Sequence, residues 1–198
     1  FFLLKRTYKN CSYLYDFCRV VDNIADDEDE IEIKKIKFQK FVSDFKQKNF
    51  ENPVIQNMWN IIHEFNISLE IIYDLFDGIE SDIKQNVKID TRKDLLIYCY
   101  RVAGTVGLMM AKILKVSKKQ SLKSAIDLGI AMQLTNISRD VIEDSKKNRS
   151  YINGNFEEIN STIKLADTFY KNSFYSIREI PLSFRFSILV ARRVYRKI

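Results

Sequence analysis

Asp22-Asn23-Ile24-Ala25-Asp26 near one end of the chain and Asp140-Val141-Ile142-Glu143-Asp144 far downstream share one spacing, D-x-x-x-D. On an α-helix that spacing sets both carboxylates on one face, about a turn apart. Like charges so placed repel by roughly 0.2–0.5 kcal/mol even on an exposed helix, and burial raises the cost. Either pair alone reads as an ordinary solvated helix face. Two pairs, each set in a run rich in Val and Ile, point instead to a divalent cation held between them.

The neighbouring positions extend both pairs into stripes. At 100° per residue, Tyr15, Cys18, Arg19, Asp22 and Asp26 fall within about 100° of arc. Gln133, Asn136, Asp140 and Asp144 share an arc of similar width on a later helix. Polar stripes on otherwise apolar helices line a water-filled or ion-filled cavity. Carboxylate and amide oxygens are hard donors with no imidazole or thiolate among them, which suits Mg²⁺ and allows Mn²⁺. Mg²⁺ keeps waters and shares itself with phosphate oxygens, and Arg19 adds a donor fork suited to phosphate.

A third helix is expected over 92–114. Tyr98, Val102, Thr105, Val106, Met109 and Ile113 form an almost uncharged stripe on it, either plain core or the wall of a hydrocarbon channel. Ala103, Gly104, Gly107 and Ala111 lie on the other side, where small residues admit a neighbouring helix. Glycine inside a helix costs up to about 1 kcal/mol relative to alanine, so the pair implies tight packing. Gly104-x-x-Gly107 lacks the strand–turn–helix setting of a dinucleotide loop.

Composition fits this picture. The 198 residues include 46% hydrophobic side chains but only 5 Gly and 2 Pro, so long helices with short connections in a single all-α domain spanning 1–198 are expected. Helices are predicted over 7–27, 31–48, 54–78 with a break near 66–68, 92–114, 118–145, 161–178 and 182–198. Asp90-Thr91 caps the fourth of these segments. A polar loop over 146–160 turns at Asn153-Gly154. The net charge of +6 is dispersed, and no nucleic-acid-binding signature accompanies it, so nucleic acid is not an expected partner. Cys11, Cys18 and Cys99 form no paired framework and fit a reducing compartment. The single His63 leaves little room for a zinc or Ser–His site. The longest uncharged run in the middle, Val102 to Ala111, is half of what a bilayer requires. A start at Phe1 and a stop at Arg196-Lys197-Ile198 inside a predicted helix suggest a chain truncated at both ends.

Three blocks resemble the squalene/phytoene synthase family, and within it the bacterial phytoene synthases. They are Tyr15-Asp16-Phe17-Cys18-Arg19-Val20-Val21-Asp22-Asn23-Ile24-Ala25-Asp26, then Tyr98-Cys99-Tyr100-Arg101-Val102-Ala103-Gly104-Thr105-Val106-Gly107-Leu108-Met109-Met110-Ala111, then Gln133-Leu134-Thr135-Asn136-Ile137-Ser138-Arg139-Asp140-Val141-Ile142-Glu143-Asp144. Ala191-Arg192-Arg193-Val194-Tyr195-Arg196 is a weaker echo.

The resemblance implies an all-α isoprenoid-synthase-type bundle around a central cavity. It also implies Mg²⁺-dependent head-to-head condensation of two geranylgeranyl diphosphates to phytoene. By the same resemblance Asp22, Asp26, Asn136, Asp140 and Asp144 would hold the metal, and Tyr98 would join the four aspartates in catalysis. Tyr15, Cys18, Arg19, Val102, Val106, Met109, Gln133, Arg149 and Tyr195 would contact substrate. Asn23 stands where an Asp is usual, Asn148 where many members have Gly, and Asn153 where Pro is common. The last two fall in a loop expected to close over the site.

Two alternatives stay open. One is squalene, hydroxysqualene or dehydrosqualene synthesis from farnesyl diphosphate. The other is a non-catalytic helical relative serving assembly or binding. A monomer in the cytoplasm, resting on a membrane face, is the expected setting.

Overall fold

The computed structural model describes residues 2–180 and 182–197. Ten α-helices dominate it: α1 Phe2–Asp26, α2 Ile31–Lys46, α3 Pro53–Phe65, α4 Leu69–Ser81, α5 Arg92–Cys99, α6 Thr105–Ile113, α7 Lys119–Arg139, α8 Val141–Lys146, α9 Phe156–Phe174 and α10 Leu182–Tyr195. The expected all-α bundle is therefore what forms. Ile198, the last residue of the predicted 182–198 helix, lies outside the described residues.

Local chemistry sets several boundaries. Asn52 accepts the Val54 N–H ahead of Pro53 to start α3, Ser68 caps α4 through the Glu70 N–H, and Thr91 caps α5 through the Asp94 N–H. Asn66 ends α3 in the left-handed region at φ 48°, which places the break between α3 and α4.

The first half packs through aromatics. Phe17, at 0% exposure, touches the rings of Phe41, Phe45 and Phe76 with centroids 5.6–5.9 Å apart. Phe45 stacks on Trp59, whose indole N–H donates to the Phe45 carbonyl at 3.0 Å. The second half packs α7 against α9 around Leu134, Ile137, Ala166 and Tyr170. The helices of 92–113 run between the two halves.

That central rod departs from the uniform helix expected over 92–114. Tyr100–Gly104 is π-helical, with the Thr105 N–H bonded to the Tyr100 carbonyl five residues back. A π turn holds one extra residue, so everything after it is rotated relative to a continuous α-helix. α4 seats this segment: Asp74 accepts from the Tyr100 hydroxyl at 2.9 Å and Asp77 from Arg101 at 3.1 Å. Gly78 lies so near that a Cβ there would come within 2.8 Å of both Arg101 and Val102.

By length and composition the continuous rod Arg92–Ile113 is apolar enough to cross a membrane, contrary to the expectation that no such stretch exists. Tyr98, Cys99, Gly104, Thr105 and Met109 are buried inside the bundle, so packing among α4, α6 and α7 accounts for its character.

Two further elements were not expected. α7 stops at Arg139, and Asp140, at φ −98° and ψ 15°, joins it to the short α8. After α8, Arg149-Ser150 (β2) pairs in parallel with Val87-Lys88 (β1). Asn148, just before β2, has φ 56°, a left-handed conformation that suits glycine and that asparagine tolerates better than most residues. The Asn at this position thus takes a backbone conformation that Gly would adopt without strain.

Candidate active site

The two acidic pairs meet at one end of the bundle. Asp22 and Asp26 occupy the last turns of α1, where the helix dipole already disfavours negative charge. Cations from the β2 region compensate. Arg149 Nη1 contacts Asp26 Oδ1 at 2.7 Å, and Lys147 Nζ lies 3.6 Å from the same oxygen. Arg149 Nη2 also donates to the Ala25 carbonyl at 3.1 Å, one of the free carbonyls at the helix end. Arg19 pairs with Asp22 at 3.3 Å, but both side chains are about half exposed, so this contact adds little.

On the other side Asp140 is gripped by the fork of its neighbour Arg139. Asp144 projects from α8 into the field of Arg149, Asp140 and Asp82. The helix break at Asp140 means that Gln133, Asn136, Asp140 and Asp144 do not share one continuous helical face.

A fifth carboxylate completes the cluster. Asp82, just past α4, accepts from the Tyr98 hydroxyl at 2.8 Å and the Tyr151 hydroxyl at 2.7 Å. The two phenol oxygens are 3.1 Å apart, and the rings stack with centroids 4.7 Å apart. Asp82 stands alone in sequence, without a spacing motif. Only the fold brings it to two tyrosines, one 16 and the other 69 residues away.

The electrostatics follow from burial and neighbours. Burial and the charge of Asp26 raise the Asp22 carboxyl. Burial also raises Asp82 against the hydrogen bond of Tyr151 and the charge of Arg149. Asp144 is pushed up to about 6, chiefly by burial, with Asp140 and Asp82 adding to it against Arg149. Asp26 moves the other way. Burial would raise it, but hydrogen bonding and charge from Arg149, then Lys147, hold it below the usual carboxylate range.

Beside this end lies a cavity of about 320 Å³, walled by α6, α7 and the segments flanking α10. Val102 and Val106 line it as expected, and Gln133 and Asn136 face it from α7. Asn136 is one turn from Asp140, whose N–H donates to the Asn136 carbonyl at 2.8 Å. The Asn136 Oδ1 is buried without a hydrogen-bond partner, a cost that a ligand donor or a cation would remove.

Several expected contacts fall elsewhere. Met109 is fully buried in the first-half core, and Met110 lines the cavity instead, one turn along α6 from Val106. Ala103, Gly107 and Ala111, expected on the packing side, also line the cavity, while Thr105, Met109 and Ile113 are core. Tyr98 stacks on Tyr151 and lies outside the cavity wall, and its contact with the carboxylate cluster is the hydrogen bond to Asp82. Tyr15 is 63% exposed, on the same face of α1 as Asp22 but outside the cavity. Cys18 is held against the core, its thiol pushed up to about 12 by burial and by Asp22. Tyr195 sits in a separate recess with Arg139, Tyr170 and Arg196.

Among the described residues, no three carboxylate, thiolate or imidazole groups converge to enclose a metal ion. The donor set therefore does not form an all-protein cage. It fits a cation that takes one or two carboxylates and completes its shell with water and phosphate oxygens, as Mg²⁺ does. Burial is the first cause of the raised carboxyls of Asp22, Asp82 and Asp144, with neighbouring carboxylates adding to it.

The fold is a helical bundle whose acidic cluster lies one helical turn from an apolar cavity, and comparison with known proteins assigns the family. The squalene/phytoene synthase family model matches residues 2–155, and the chain belongs to that family of prenyltransferase-type enzymes. It is 28% identical to a phytoene synthase of Pseudescherichia vulneris, over 97% of this chain and 72% of that protein. It is 33% identical to a presqualene diphosphate synthase of Sinorhizobium fredii, over 70% of this chain and 50% of that protein. Among solved structures, a dehydrosqualene synthase in complex with ligand superposes with a TM-score of 0.83 at 28% identity, covering 98% of this chain and 75% of that one. A squalene synthase from Alicyclobacillus acidocaldarius shares the fold, with a TM-score of 0.78 at 16% identity over 96% of this chain and 81% of that one.

Proposed function

We propose that this protein condenses two geranylgeranyl diphosphates head to head, through a cyclopropyl diphosphate, to phytoene with release of diphosphate. The observation that carries the reading is adjacency: the amide end of the apolar cavity, at Gln133 and Asn136, lies one helical turn from the aspartate cluster. Such a site takes a diphosphate at its acidic end and the prenyl tail along its wall. Asp22, Asp26, Asn136, Asp140 and Asp144 would hold Mg²⁺ or Mn²⁺, which when bound would neutralise the diphosphate and ease its departure. Arg149, Lys147 and Arg19 offer donors to the same phosphates. Val102, Val106 and Met110 keep the reacting carbons dry, since water would quench an allylic cation.

The cavity's extent bears on chain length. Its lining positions on α7 run from Ser121 to Asn136, and that stretch of helix rises about 22 Å. At about 1.2 Å per bond, a four-isoprene chain of roughly sixteen bonds reaches about 19 Å and a three-isoprene chain about 14 Å. This stretch lies nearer the length of the longer chain, which supports it as the substrate.

Farnesyl diphosphate is the competing substrate, favoured by the likeness to a dehydrosqualene synthase and to a presqualene diphosphate synthase. Incubation with each diphosphate and Mg²⁺, followed by identification of the hydrocarbon, decides between them. Phytoene from the longer substrate is expected, and a faster thirty-carbon product from the shorter one would replace this reading. Asp22→Asn and Asp140→Asn should each abolish turnover while leaving the circular dichroism spectrum unchanged. Unimpaired turnover in either would remove the metal-ligand assignment.

A further inference from the structure

Five carboxylates gather at one end of the bundle, yet no three of the described ones close around a common point. What stands among them is the Arg149 guanidinium. It bonds Asp26 at 2.7 Å, the Ala25 carbonyl at 3.1 Å and the Asp82 carbonyl at 3.5 Å, with its side chain only 10% exposed. Asp22, Asp82 and Asp144 all feel its charge. Its backbone is fixed in the β1–β2 pairing, next to Asn148 at φ 56°, so any movement belongs to the side chain. A guanidinium is a planar five-donor fork that fits phosphate as well as it fits a carboxylate.

We propose that Arg149 is the keeper of the metal site: it holds Asp26 until a diphosphate draws the guanidinium away, so that cation and diphosphate bind together and neither binds well alone. This rests on the diphosphate–metal reading above and adds to it an order of events. With Arg149 on Asp26 Oδ1, an incoming divalent cation meets a carboxylate whose charge the guanidinium already offsets, so its affinity there is reduced. With Arg149 on phosphate, Asp26 is released next to the very group that completes the cation's shell. Linkage makes the effect reciprocal: the factor by which diphosphate improves cation affinity equals the factor by which the cation improves diphosphate affinity. Lys147, 3.6 Å from Asp26, reinforces the hold without the fork.

The test uses the whole chain, Mn²⁺ followed by electron paramagnetic resonance, and inorganic pyrophosphate followed by calorimetry. Arg149→Met keeps the stem and removes the charge, and it should bind Mn²⁺ alone about tenfold more tightly than the unaltered protein. Equal Mn²⁺ affinity in the two proteins overturns the proposal.

Because Arg149 also ties down the end of α1, a second comparison protects against a variant that fails to fold. In chelator, Asp26→Asn should bind pyrophosphate about tenfold more tightly than Asp22→Asn does. Both remove one negative charge from α1, but only the first frees Arg149. Equal gains in the two would reduce the effect to net charge and sink the keeper role. If neither protein binds pyrophosphate even with Mn²⁺ present, the diphosphate–metal reading itself fails, a result distinct from both others.

Discussion

Asp144 shows how burial sets the behaviour of a single residue here. Its carboxyl is pushed up to about 6, against 3.8 for a free side chain, so between these values the folded protein binds more protons than the unfolded chain. Stability from this group is fully present below about pH 4 and is lost as pH rises through about 6. Metal-free Asp144→Asn should therefore melt higher than the parent at pH 7.5, with the advantage shrinking toward pH 4.5. Differential scanning calorimetry at the two pH values checks the sign. The Asp82 triad offers a second residue-scale test. Tyr98→Phe and Tyr151→Phe each remove one hydroxyl from a buried carboxylate and should each cost about 1–3 kcal/mol in urea denaturation. The double variant should depart from additivity by more than about 0.5 kcal/mol, because the two phenols share one acceptor.

At the scale of elements, α6 and α7 lie closer than side chains normally permit. A Cβ on Gly107 would sit 2.3 Å from the Ala125 carbonyl oxygen, and one on Gly129 would sit 2.3 Å from that of Ala103. The obstructing atoms are backbone and cannot turn aside, so the helices themselves would have to separate. Gly129→Ala should destabilise by about 1–3 kcal/mol despite alanine's better helix propensity. It should also widen the cavity wall, detectable as weaker binding of a prenyl diphosphate. The sequence placed Gly107 correctly as a packing residue but put part of the cavity on the wrong neighbours, because a helix apolar on several sides does not say which side meets core and which meets a cavity. Val102 and Val106 kept their predicted place, and Met109 gave way to Met110.

For the molecule as a whole, cohesion is uneven. The aromatic cluster around Phe17 and the α7–α9 pair hold most of the buried side chains. α10, by contrast, buries only Arg192, whose guanidinium bonds the Tyr170 carbonyl and lies over the Phe174 ring. Amide hydrogen exchange should accordingly be fastest in α10 among the long helices and slowest in α7. Comparable protection in the two would contradict this distribution. Phe17→Ala, at the centre of the cluster, should cost about 3–5 kcal/mol, measured by chemical denaturation.

The amino-acid sequence alone determined the helical class, most helix boundaries and the four motif aspartates. Helical periodicity, Thr91 as a cap, a break near 66–68 and carboxylates spaced by one turn are local signals that survive without knowledge of neighbours. Tertiary structure decided the rest. Asp82 has no partner within its own segment, Arg149 reaches Asp26 across 123 residues, and the cavity's lining depends on which side of α6 the neighbouring helices leave uncovered. These are long-range or register effects. Electrostatic pairing and cavity shape depend on which surfaces the packed helices bring together, and no spacing within a single helix encodes that.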